Sequence, residues 1–291
     1  MTIAIKEGVV VVAATAGLEF SRRMASDRPS ERAFLGVSAL LFAASAAVTI
    51  VWCTTMSAMG GMPMPGGWTM SMAWMRMPGQ TWPGAAALFL CMWVVMMVAM
   101  MLPSLVPMLR RYRQAVGRQD EARLGPLTAI AGAGYFFVWT VFGMAVFPLG
   151  TALAAIEMQQ PALARAVPTA TGVVVLIAGA LQFSAWKAHH LADCREASAF
   201  ARAGVSASFG ETWRHGLRLG LHCSSCCAGL MAILLVVGVM DLRAMAVVTA
   251  AISAERLAPA GDRVARTIGA IVVVAGLFLI ARAVGLATPQ P

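Results

Sequence analysis

The chain reads as an all-α, polytopic transmembrane helical bundle of about seven spans. Three observations point there. Of 291 residues, 59% are hydrophobic and only 12% are charged, about half the charged fraction of an ordinary soluble domain. The mean hydropathy is +0.76. The Lys and Arg residues collect at one set of turns. This balance excludes a disordered chain, an ordinary cytosolic enzyme and, despite a formal charge of +9, a nucleic-acid partner; membrane lipid is the expected surrounding.

A helix needs about 20 mostly apolar residues to cross the hydrocarbon at about 1.5 Å per residue. Six stretches meet this: Phe34–Thr54, Gly84–Leu109, Leu127–Leu149, Ala166–Trp186, Leu217–Met240 and Thr267–Ala287. A seventh, Leu242–Leu257, is short and follows Asp241 as the return leg of a tight helical hairpin. Gly8–Leu18 is too short to span and reads as surface-lying within a cytoplasmic or interfacial N-terminal segment, residues 1–33. Residues 34–291 form one transmembrane domain. With the N-terminus cytoplasmic, 18 of the 22 Lys and Arg fall inside and only Arg76, Arg165, Arg243 and Arg282 fall outside, the bias of the positive-inside rule. The expected location is the bacterial inner membrane.

Two connections are long. Residues 55–83 make an outer loop rich in Met, Gly, Pro and Trp, and residues 187–216 make a basic inner loop. The outer loop carries Met62-Pro63-Met64, Met70-Ser71-Met72 and Met75-Arg76-Met77. Thioethers are soft, neutral ligands that favour Cu(I) and stay usable where thiols would oxidise. The same residues also suit a loop packed at the membrane interface beside Trp68, Trp74 and Trp82. A second group lies in the second span. Met92, Met96 and Met100 share one helical face, and Met97 and Met101 share its neighbour. Together the two groups form a candidate relay.

The sharpest motif is His222-Cys223-Ser224-Ser225-Cys226-Cys227 in the fifth span. On a helix the His and three Cys occupy an arc of about 140°. Imidazole and thiolate on one face suit Cu(I) or Zn(II), and copper is the better match to the Met groups. A structural disulfide is not expected near the cytoplasmic side. At the inner end of the fourth span, His190 and Cys194 form an i, i+4 pair, as do His189 and Asp193. Convergence of these two helices would assemble one metal site from His189, His190, Cys194, His222, Cys223, Cys226 and Cys227. Asp193 and Glu255 would orient its ligands from behind; Glu255 also has Arg256 beside it as a possible ion-pair partner. Helix packing by small thiols is the alternative.

The run Met92-Trp93…Met96-Met97…Ala99-Met100-Met101-Leu102-Pro103-Ser104 resembles the signature of a bacterial family of predicted metal-binding integral membrane proteins, domain of unknown function 2182. Lys187…Leu191…Cys194-Arg195, Gly220…Cys223…Cys226-Cys227…Met231, Gly238-Val239-Met240 and Glu255 extend the resemblance over roughly residues 84 to 285. Two departures stand out. His190 occupies the place of a family Cys, and Ser225-Cys226-Cys227-Ala228 stands for Gly-Cys-Cys-Trp. The first keeps a ligand and changes its softness. The resemblance implies a bound metal and carries no reaction.

The expected function is therefore Cu(I) handling: capture by the outer Met loop, relay along the second span, and delivery to the inner Cys/His site, with other membrane or periplasmic metal-handling proteins as partners. No acid/base constellation marks a catalytic residue and no nucleotide motif marks a pump, so catalysis is not expected. A membrane metalloenzyme or redox protein with a fixed Cys/His metal, and a structural subunit, are the alternatives.

Overall fold

The computed structural model describes residues 29–76, 79–116, 123–196 and 208–285, with backbone only at 193–196. The expected surface segment Gly8–Leu18 and Met77 lie outside the described residues. The described residues form eight α-helices and one small hairpin: α1 (Pro29–Ala58), β1 (Met62–Met64), β2 (Trp68–Met70), a 3-10 turn (Met72–Trp74), α2 (Trp82–Val116), α3 (Leu124–Gln159), α4 (Pro161–Leu181), α5 (Ala185–Glu196), α6 (Phe209–Val237), α7 (Leu242–Leu257) and α8 (Gly261–Ala283). An all-α polytopic bundle is what the composition predicts.

Six of these helices, α1, α2, α3, α4, α6 and α8, are long and apolar enough to cross a membrane. Helices α1, α2 and α3 overrun the expected spans at both ends, and α4, α6 and α8 at their N-termini, because a helix continues into polar ends that the hydrophobic window omits. The seventh expected span is present as α7, at 16 residues. That is about 24 Å, against a hydrocarbon thickness of about 30 Å. Its C-terminal turn stops inside the bundle on two buried charges, Glu255 and Arg256. The expected fourth span, Ala166–Trp186, ends early. Helix α4 closes at Leu181, and Gln182–Ser184 make a turn before α5. Residues expected as inner loop from 187 onward are partly helical in α5 and in the first turns of α6.

Close approach of helices without a hydrophobic driving force between them needs small residues. Gly172 of α4 lies against Ile280 of α8, and Gly276 of α8 against Leu176 of α4. Between α3 and α6, Gly216 meets the Ala131 carbonyl and Gly220 meets the Tyr135 carbonyl. A Cβ at either of the last two would collide with backbone, so these glycines set the distance between α3 and α6.

The main core sits on α2. Met92, Trp93, Met96, Met97, Met100, Met101, Leu105 and Met108 face inward onto α3, α6 and α7. Trp93 donates its indole N–H to the Trp139 carbonyl at 2.8 Å, which fixes α2 to α3. Lower down, Arg113 donates to Glu31 and Thr128, and Tyr112 pairs with Thr212 at 2.9 Å. That polar layer ties together the ends of α1, α2, α3 and α6.

Candidate metal centre

Helix α6 carries the thiols because its apolar side is the core side. Cys223, Cys226 and Cys227 are at most 2% exposed. Their spacing of three and four residues stacks them on one face. Cys227 Sγ is 3.7 Å from Cys223 Sγ and 3.6 Å from Cys226 Sγ. With a metal–sulfur bond of about 2.3 Å, two sulfurs on one tetrahedral ion stand about 3.8 Å apart, so each pair already has the span of two ligands on one ion. A fourth sulfur joins from α2, where Met101 Sδ lies 4.0 Å from Cys223 Sγ. The sulfurs thus form a continuous run, Met101–Cys223–Cys227–Cys226. Among the described residues, no group of three or more His, Cys, Asp or Glu side chains is arranged to hold a metal ion. The donors this geometry offers to one ion are therefore a thiol pair and the Met101 thioether, a set suited to Cu(I).

Two residues outside the expected ligand set contact Cys223. Tyr135 of α3 donates its hydroxyl to Cys223 Sγ at 2.9 Å. The Gly216 and Gly220 contacts are what let α3 come this near. Arg256 of α7 donates from one terminal nitrogen to Cys223 Sγ at 3.0 Å and to Ser104 Oγ at 2.8 Å, and from the other to Met108 Sδ at 2.9 Å. A buried guanidinium beside a thiol complements negative charge there, as a metal ligand requires. The sequence does hold a signal for Arg256. A charged pair at the end of an apolar helix is a functional candidate by default, because ionisable groups inside a membrane are expensive.

Glu255 is not paired with Arg256. It accepts from Lys187 Nζ at 2.7 Å and from the Gln182 amide at 3.0 Å. Lys187 also donates to the Cys226 carbonyl at 2.6 Å. This cluster joins α5, α6, α7 and the α4–α5 turn next to the Cys226 backbone. The charge count had assigned Lys187 and Arg256 to the inner solvated set. Both are buried in the bundle, because each meets a partner there that a loop could not offer.

The other expected ligands are placed as follows. His190 lies one turn beyond Lys187, its ring edge-on to Trp186 at 4.6 Å and 5.6 Å from the His189 ring. Its Nδ1 is buried with no hydrogen-bond partner among the described residues. The side chains of Asp193 and Cys194 lie outside the described residues. His222 is half-buried, on the edge of the thiol face. On α2, Met96, Met97, Met100 and Met101 are at most 3% exposed and lie in one core with the thiols.

The outer loop divides into two parts. Met62 pairs with Met70 and Met64 with Trp68 across the hairpin. Met64 and Met70 are buried against Ala154 and Ala164, and Trp68 donates to the Ala164 carbonyl at 2.8 Å. Gly66 and Gly67, with φ of +103° and +76°, make the tight turn. Met72 and Met75, beyond the hairpin, instead line a cleft above α2.

On the far side of Arg256, a cavity of about 440 Å³ is bordered by Met108, Arg111, Arg256 and Asp262. Arg256 and Met108 therefore belong to both the cavity wall and the thiol site.

No curated protein and no solved structure matches the chain. A family model, PpoB2, copper chaperone, matches residues 90–279. The matched stretch holds the buried Met run, Tyr135, the three thiols and Arg256. The chain belongs to the PpoB2 family of copper chaperones.

Proposed function

We propose that the chain binds Cu(I) in the core of a membrane-spanning bundle and hands it on, the buried sulfur run Met101–Cys223–Cys227–Cys226 being the holding site. One observation carries this reading: the Cys223 thiol has a second thiol, Cys227, at 3.7 Å and the Met101 thioether of a neighbouring helix at 4.0 Å, in a core rich in Met side chains. Soft neutral thioethers along α2 give Cu(I) a low-barrier environment, and the thiols give it a terminus of higher affinity. The copper is cargo, exchanged between ligands without change of oxidation state.

The chain's own residues divide the work. Tyr135 and Arg256 keep Cys223 oriented and its charge complemented. Lys187 and Glu255 hold the Cys226 backbone in place. Met108 and Arg256 separate the thiols from the 440 Å³ cavity, so movement of the Arg256 side chain opens a way out. In the orientation expected from the charge bias of the turns, that cavity opens to the cytoplasmic side of a bacterial inner membrane. The resemblance to the domain of unknown function 2182 family agrees with this reading, which adds copper as the metal.

The test is Cu(I) titration of the detergent-purified chain against a chromophoric Cu(I) chelator, beside Cys223→Ala/Cys227→Ala. Wild type should withdraw copper from the chelator and show a sulfur-only coordination shell by X-ray absorption. The double variant should lose at least a hundredfold in affinity. Equal copper content and equal affinity in the two proteins would reduce the thiols to helix packing.

A further inference from the structure

The methionines that border open space lie elsewhere. A cleft of about 70 Å³ at the outer end of α2 is lined by Met56 of α1, Met72 and Met75 of the outer loop, Met92 of α2, and Met240 of the α6–α7 turn. Five methionines from four separate stretches of chain thus line one space. Behind Met240, the buried thiol of Cys53 lies 3.9 Å from its sulfur. All but Met92 are only partly buried, so these side chains border space that a solute can enter. Among the described residues, the lining holds the Gln80 amide and no charged side chain.

The chain goes to some length to place Met240. Gly238 adopts φ +141°, in the region L side chains rarely enter. Asp241 then caps α7 by accepting from the Arg243 and Ala244 amides at 2.8 and 2.9 Å. Val239 packs into the core, and Met240 is left facing the cleft. Met92 belongs to both the cleft and the buried Met run, so the cleft meets the outer end of the run that leads to the thiols.

We infer that this cleft, formed by Met56, Met72, Met75, Met92 and Met240 with Cys53 behind, is a second Cu(I) site, the one at which the ion is loaded. The inference rests on the copper-handling reading and moves capture away from the hairpin, whose Met64 and Met70 are occupied in packing on Ala154 and Ala164. Neutral thioethers select a soft monovalent ion over Zn(II), because they supply no charge to offset a divalent cation in an apolar lining. The cleft holds Cu(I) more weakly than the thiols, as a loading site must.

Two variants of the full chain in detergent separate the sites. Met72→Leu/Met75→Leu/Met240→Leu removes cleft sulfurs at nearly constant volume, and Cys223→Ala/Cys227→Ala removes the inner thiols. Wild type should bind two Cu(I) per chain, the Met variant only the tighter one, and the Cys variant only the weaker one. Retention of both equivalents by the Met variant, or of none by the Cys variant, overturns the cleft. Retention of both by the Cys variant overturns the thiol reading alone. Independently of any variant, Ag(I) added to wild type carrying 13C-methyl methionine should shift the Met72, Met75 and Met240 resonances first. If those three stay still while the Met101 resonance moves, the ion enters by another route.

Discussion

The Lys187–Glu255 pair offers the most quantitative test of how the site is held. Both groups are nearly excluded from solvent, at 4% and 2% exposure, and their charged atoms are 2.7 Å apart. A pair buried this deeply stabilises little in itself, because desolvation offsets most of the Coulomb attraction. Removing one partner is another matter. Glu255→Leu strands an ammonium whose other recorded partner is the Cys226 carbonyl, at a cost of about 3–5 kcal/mol. Lys187→Met strands a carboxylate that keeps the Gln182 amide, and its cost falls at the lower end of that range. The double variant Lys187→Met/Glu255→Leu leaves no stranded charge. Its main loss is the acceptor of the Gln182 amide, about 1–3 kcal/mol. The coupling energy from the cycle should therefore be at least about 3 kcal/mol. Reversible unfolding in detergent micelles, followed by far-UV circular dichroism, measures all four corners. Additivity within about 0.5 kcal/mol, the behaviour of independent sites, would refute the pairing and with it the role of Glu255 in holding the Cys226 backbone.

Other expected outcomes follow from single contacts. Gly216→Ala places a methyl against the Ala131 carbonyl; overpacking of this kind costs about 1–3 kcal/mol, and the lowered unfolding midpoint should come with weakened copper binding as Tyr135 moves away from Cys223. Met101→Leu keeps core volume and should cost under about 1.5 kcal/mol in stability; the copper absorption edge should nonetheless show one sulfur fewer, which a purely packing Met101 would not produce. Met70→Ala opens a cavity beneath the hairpin and should cost about 2–5 kcal/mol, with copper stoichiometry unchanged.

Much of the architecture was legible because the bilayer imposes a simple code on sequence. A long apolar run must be a helix, since no other single segment satisfies its backbone in hydrocarbon, and every expected span is a helix here. The ends were harder. Nothing in Ala166–Trp186 marks Gln182 as the place where the helix turns; that follows from its amide meeting Glu255, 73 residues away. The thiol face was readable from spacing alone, since Cys223, Cys226 and Cys227 can only stack on one side of a helix. Its surroundings were not. Tyr135 sits in a 36-residue helix that carries apolar residues all round, and no local pattern points from it to Cys223, 88 residues distant. A dense Met loop looks uniform in sequence, yet a three-residue turn at 65–67 folds part of it into a hairpin, while Met72 and Met75 face the cleft.

The order of sulfur donors along the bundle sets how an ion could travel. From Met92 at the cleft to Met101 at the thiols is nine residues of helix, about 14 Å. An ion bound at about 2.3 Å from each donor moves between two sulfurs only when both reach it at once, so 14 Å requires intermediate donors. Met96 and Met97 and then Met100 and Met101 supply them at one-turn intervals, about 6 Å per step. Those side chains are almost wholly buried, so an advancing ion must be passed by rotating thioethers and does not diffuse down an open pore. Methionine suits this because three rotatable bonds let its sulfur swing over several ångströms inside a packed core, where a branched residue would be locked. Replacing Met96 and Met97 together by Ile should therefore leave both end sites able to bind copper and slow exchange between them. Stopped-flow transfer from a preloaded cleft to the thiols would register it, and an unchanged transfer rate would mean that the ion does not pass along α2.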